Sequence, residues 1–181
     1  MSSRVGMDMT IDVVNSNDHA VGTVKRKNVL SKGLNFRTVH IFILNTNEDR
    51  ILLQQLSSNR RRNPGYFGSS VAAYLFSEES YHDAATRRLY QELGIKSDYV
   101  EFHWCGKESM KDKQSLKFVG LYKTIYEGSF NIDRDHIKNI TWKKISNIDR
   151  LLSTEKVKFT PTFRHVWSIF KNSSCYEDKK R

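Results

Sequence analysis

The chain has 181 residues, 38% of them hydrophobic, with ten Phe, eight Tyr and three Trp, and a formal net charge of +10 at pH 7. That length suits one compact domain burying roughly 70% of the surface its unfolded chain exposes. No apolar run approaches the ~20 residues of a membrane helix, and MSSRVGMDMT lacks the apolar stretch of a secretory signal. The expectation is therefore a cytoplasmic protein with no membrane partner. Cys105 and Cys175 fit neither a disulfide framework nor a zinc site.

In chain order, Met9–Val14 and Ala20–Val24 read as two short strands around the turn Asn15–His19. Lys25–Ser31 reads as a short helix or turn ended by Gly33. The run RTVHIFIL at Arg37–Leu44 is nearly all strand formers and predicts a central strand, with Asn45–Arg50 turning into Ile51–Leu56. Ser57–Tyr66 is a basic loop closed by Pro64-Gly65, before a strand near Ser69–Tyr74. Tyr81–Leu93 predicts a helix, with Ser80 as N-cap, Asp83 three positions on and Gly94 as its stop. Val100–Gly106 and Leu116–Tyr126 read as strands joined by a charged loop, KESMKDKQ. Asn139–Ile145 reads as a further strand and Ile148–Ser153 as a short helix. The last helix starts at Thr160-Pro161, with Phe163, Val166, Trp167 and Phe170 on one core-facing stripe. The order gives a mixed sheet with helices on both faces. It is one domain over residues 1–181, with a core from about residue 10 to 171 and a flexible tail over 172–181.

Basic residues cluster at Lys25–Lys27, Arg60–Arg62 and Lys179–Arg181. Such clusters attract polyanions by Coulomb attraction and counterion release. The ordinary reading is a solvated basic face. Nucleic acid stays open as a second partner, without an RNA-recognition motif or zinc finger to support it.

The chemistry concentrates in AYLFSEESYHDAATRRLYQELGI, Ala73–Ile95. Positions 88 and 92 are one helical turn apart with 91 beside them, so all three converge. Carboxylates on such a face are the oxygen ligands that a hard divalent cation takes. Here the three are Arg88, Gln91 and Glu92, and their charges sum to about zero. Arg88 can also pair with Glu92 across the turn.

This run resembles the Nudix signature G-x5-E-x7-R-E-U-x-E-E-x-G-U, where U is bulky and aliphatic. It matches at Glu79, Arg87, Leu89, Glu92, Gly94 and Ile95, and departs at Ala73, Arg88 and Gln91. The resemblance implies an α/β fold, a Nudix-type α/β/α sandwich with a mixed β-sheet. It also implies that Glu79 and Arg87 pair structurally, bracing the loop against the helix. The longer run SSVAAYLFSEESYHDAATRRLYQELGI is similar to type I isopentenyl-diphosphate isomerases and their relatives, a branch that often carries Arg-Arg here. That resemblance implies Arg88 as a diphosphate-binding residue, Arg60 near another such position, and Glu92 as a ligand of Mg²⁺ or Mn²⁺. The isomerase chemistry itself does not carry over. Ala72 stands at the catalytic cysteine, Tyr74 and Phe36 at metal histidines, and Ser115 and Lys117 at a Glu-x-Glu pair.

His19, His40, His82, His103, His136 and His165 show no metal-ligand spacing, and His40 and His103 read as ordinary strand residues. Glu78, Glu108, Glu127, Asp133 and Asp135 are the candidate bases, and the sequence does not choose among them. The functional expectation is a Nudix-family hydrolase of a diphosphate-linked substrate of the nucleoside diphosphate type, with an atypical metal site. The alternative is a catalytically inactive Nudix-fold protein that binds a nucleotide, a diphosphate or nucleic acid.

Overall fold

A run that is apolar on both faces asks for cover on both sides, and RTVHIFIL receives it. In the computed structural model, which describes Gly6 and residues 8–177, this run lies at the centre of a mixed sheet. The Lys179–Arg181 cluster and the last part of the expected tail lie outside the described residues. Among the described residues the strands are β1 (Thr10–Val14), β2 (Ala20–Lys25), β3 (Phe36–Leu44), β4 (Arg50–Leu56), β5 (Phe67–Gly68), β6 (Val71–Tyr74), β7 (His103–Asp112), β8 (Ser115–Ile125) and β9 (Ile137–Lys144). The helices are α1 (Tyr81–Leu93), α2 (Ile148–Ser153), α3 (Pro161–Lys171) and α4 (Ser174–Glu177).

β1 and β2 form a separate antiparallel ribbon, and the others form one sheet of order β5-β4-β3-β8-β7. β3 runs parallel to β8 along its whole length. On its other side it meets β4 only at Leu44↔Ile51, and the two strands then fork. β6 takes the place beside β3, from Thr38↔Tyr74 to Ile41↔Val71, while β4 continues against β9 and β5. Ser70 bridges the fork. Its hydroxyl accepts the Ile43 N–H at 2.8 Å and donates to the Leu52 carbonyl, so main-chain groups released by the parting strands stay satisfied.

Alternation along β3 divides the core. Val39, Ile41 and Ile43 pack with Leu89 and Leu93 of α1, while Phe42 and Leu44 pack with Phe163, Trp167 and Phe170 of α3. The expected α3 stripe is buried, and Ile169 joins it. Each such side chain contributes about 1.5–3 kcal/mol by leaving water. The α1 caps form as the sequence implies. Ser80 and Asp83 make a capping box, and Gly94 closes the helix at φ 70°. A Cβ on Gly94 would lie 2.7 Å from Asn131 Cβ, so glycine is required there twice over.

Two expectations differ from the structure. KESMKDKQ is not a loop: β7 runs on to Asp112, paired residue by residue with β8, and turns at Lys113, whose φ is 57°. Its charged side chains suit a sheet edge, where one face and one flank meet solvent, so backbone pairing outweighs low strand propensity. Packing also continues past Lys171. Cys175 is buried, and Tyr176 sits edge-on to Phe170 and Trp167. Both cysteines are free thiols and pack in the same core.

Candidate functional site

The loop before α1 is pinned to the helix by one arginine. Arg87 donates from Nε to Glu79 Oε1 at 2.6 Å and from Nη2 to Glu79 Oε2 at 2.8 Å, and Nη2 also reaches the Tyr74 carbonyl. Its guanidinium lies 3.9 Å from the centre of the Phe76 ring. Glu79 in turn accepts the Phe76 N–H at 2.7 Å. This fork-on-carboxylate geometry fixes the loop that presents β6 and the start of α1.

Glu92 lies one helical turn after Arg88, on the face of α1 turned to the sheet, and is 2% exposed. Burial obliges its carboxylate to find donors, and it finds two. Arg88 donates to Oε1 from Nε at 3.0 Å and from Nη2 at 2.7 Å. Gln54 Nε2 donates to Oε2 at 3.1 Å. Gln54 Oε1 is buried beside this pair without a partner.

Two further arginines lie within electrostatic reach of Arg88. Burial pushes the Arg60 guanidinium below its usual range; Glu92 pulls it back up and Arg88 pushes it down. Burial likewise depresses Arg26, Tyr74 counteracts, and Arg88 and Arg60 add repulsion. Arg26, in the 3-10 turn Arg26–Asn28 after β2, lies 4.4 Å from the centre of the Tyr74 ring. The Tyr74 ring also stacks on Phe36 at 5.1 Å, with 11° between the planes. Phe36 and Tyr74 are the positions that the resemblance assigned to metal histidines. Here they form an aromatic support for a guanidinium.

A second polar cluster lies beside these arginines, with Arg62 within reach of Tyr74. Arg62 forms a two-point contact with Asp112, at 2.8 and 3.1 Å, and Lys117 Nζ reaches Asp112 Oδ2 at 3.2 Å and Thr162 Oγ1 at 2.7 Å. Burial alone raises the Asp112 carboxyl, but Arg62 and Lys117 hold it below its usual range. Deeper in the sheet, His40 Nδ1 lies 2.8 Å from Ser69 Oγ, and burial pushes its pKa down to about 3. It is a neutral strand histidine. Ala72, paired with His40 in the β3–β6 ladder, offers only a methyl group.

Of the five candidate bases, Asp133 is the one within the field of Arg60 and Arg88. Its N–H donates to the Glu92 carbonyl at 2.9 Å, and its carboxylate lies 2.6 Å from His136 Nδ1. Glu108 faces His165, Glu127 accepts the Thr46 N–H, and Glu78 and Asp135 are exposed. Sequence reading missed Gln54 and Arg26. Gln54 had a signal, as a polar residue facing inward from the apolar run ILLQQL. Arg26 stood in the Lys25–Lys27 cluster, but its place beside Tyr74 depends on how the ribbon packs.

A family model described as NUDIX domain matches residues 34–163. The chain belongs to the Nudix family. Among its Nudix relatives, a hydrolase of Nostoc sp. described as uncharacterised is 29% identical over 124 residues, spanning 67% of this chain and 73% of that one. Isopentenyl-diphosphate Delta-isomerase 1 of Mesocricetus auratus is 28% identical over 184 residues, spanning 87% of this chain and 80% of that one. The crystal structure of DR0079 from Deinococcus radiodurans shares the fold, with a TM-score of 0.77 at 18% identity over 89% of this chain and 99% of that chain.

The resemblance implied Glu92 as a ligand of Mg²⁺ or Mn²⁺, and the residues around it do not fit that ion. A hard divalent cation asks for several oxygen ligands with free lone pairs. Both Glu92 oxygens accept hydrogen bonds, Oε1 from the Arg88 guanidinium and Oε2 from the Gln54 amide, and Arg60 adds a further cation nearby. Among the described residues no group of three or more His, Cys, Asp or Glu converges as a metal site.

Proposed function

We propose that this Nudix chain acts on a diphosphate-linked substrate of the nucleoside diphosphate type, with Arg60, Arg88 and Arg26 holding the diphosphate. One observation carries the reading: Arg88 pairs with the buried Glu92, and two more half-buried guanidiniums, Arg60 and Arg26, lie close enough to repel Arg88 and each other. Buried cations in excess of their counterions favour an anionic ligand, and planar guanidiniums suit the oxygens of phosphate. Family membership supports hydrolysis as the reaction. Water adds to one phosphorus, the bridging P–O bond breaks, and two phosphorylated products leave. Asp133, at the rim beside Arg60 and Arg88, is the carboxylate we assign to accept the proton from water. No step is routed through a metal ion.

A second reading, binding of a nucleotide, diphosphate or nucleic acid without turnover, is favoured by the engagement of both Glu92 oxygens. A panel of nucleoside diphosphate derivatives, assayed with Mg²⁺ or Mn²⁺, separates the two. Turnover above that of an Asp133→Asn control supports hydrolysis. Absence of turnover across the panel leaves capture alone, and displacement of ligand by an oligonucleotide extends it to nucleic acid.

A further inference from the structure

We infer that Arg88 occupies the place and supplies the charge of a divalent cation on Glu92, so that this arginine cluster binds a diphosphate without a metal ion. The inference rests on the diphosphate-binding reading above and adds how the site meets its charge requirement.

The carboxylates near these arginines, Glu92, Asp112 and Asp133, are each already committed to a donor of this chain. Glu92 takes Arg88 on one oxygen and Gln54 on the other. Asp112 takes Arg62 and Lys117. Asp133 takes the Asp135 N–H and lies against His136. A divalent ion entering here would have to displace a protein cation from its partner and then sit beside the remaining guanidiniums. Both steps work against it in a half-buried site.

The charge count points the same way. Arg26, Arg60, Arg62, Arg88 and Lys117 bring five positive charges to the three negative charges of Glu92, Asp112 and Asp133, an excess of about two. A diphosphate diester carries two negative charges, so it neutralises that excess without help. The fold also maintains this cationic arrangement before any ligand arrives. Arg88 is held by Glu92, and Arg26 by the Tyr74–Phe36 stack, while Arg60 lies within the fields of both Glu92 and Asp133. Preorganised donors lose little freedom when the anion binds.

Calorimetric titration of the full chain with ADP-ribose, run once in EDTA and once in excess MgCl₂, tests this. The expected result is binding in both, with dissociation constants within about threefold of each other, and affinity falling as salt rises. Arg60→Gln and Arg26→Gln, checked for native melts, should each weaken binding roughly tenfold or more in EDTA, as loss of a charge-assisted contact does. Binding that vanishes in EDTA and returns with Mg²⁺ or Mn²⁺ overturns the metal-free inference and leaves the diphosphate reading intact. No binding in either condition overturns both.

Discussion

Replacing Arg88 with methionine keeps most of the side-chain stem and removes the charge that Glu92 is paired with. Glu92 is 3% exposed in its side chain, Arg88 is 16% exposed, and the pair closes at 2.7 Å. Breaking a buried pair by deleting one partner costs about 3–5 kcal/mol, because the remaining charge stays buried. Gln54 still donates to Glu92, and Arg60 still lies within its field, so the lower end applies, about 3 kcal/mol. In a domain of this size that lowers the melting temperature by roughly 6–12 °C. Denaturant melts of Arg88→Met, Glu92→Gln and the double variant close a mutant cycle. A coupling of about 1–3 kcal/mol is expected, with the double variant less damaged than the two single effects added together. Single effects that add to within about 0.5 kcal/mol would refute the reasoning that Arg88 and Glu92 act as one unit.

Arg87→Lys removes the two-point contact with Glu79 and the bond to the Tyr74 carbonyl. It should cost about 1–3 kcal/mol and speed amide exchange at Phe76 and Glu79, as read by hydrogen exchange. His40 has a folded pKa of about 3 against an ordinary 6.5, so below that ordinary value the unfolded chain takes up a proton that the folded one refuses. Stability should therefore fall with pH through this window by up to about 1.4 kcal/mol per unit. Urea midpoints across the window should fall less steeply in His40→Gln. Gly94→Ala places a Cβ in left-handed backbone and 2.7 Å from Asn131 Cβ. It should lower stability by more than about 1 kcal/mol in urea titrations, and an unchanged midpoint would contradict the described C-cap.

The parts of this molecule that were legible in sequence are those set by local rules. Ser80, Asp83 and Gly94 mark the ends of α1 because caps satisfy groups within one turn of their own position. The Arg88–Glu92 pairing was readable for the same reason, as a contact across a single helical turn. β3 and the α3 stripe followed from periodicity. The rest depended on contacts between distant segments. The length of β7 is decided by its ladder with β8, which keeps charged residues in strand where propensity favoured a loop. Arg26 reaches Tyr74 only because the β1–β2 ribbon folds over the start of β3, and Phe36 finds Tyr74 only through the β3–β6 pairing. The Nudix resemblance located the box and its Arg-Arg pair. It gave no sign that an aromatic stack and a third arginine stand where metal histidines were expected.

A crystal structure of the chain with ADP-ribose, grown without divalent metal, tests the central claim most directly. The diphosphate is expected beside Tyr74, with its oxygens within hydrogen-bonding distance of the Arg26, Arg60 and Arg88 guanidiniums. Ligand bound elsewhere on the surface, with those three side chains arranged as they are without it, would rule out a diphosphate site at these arginines.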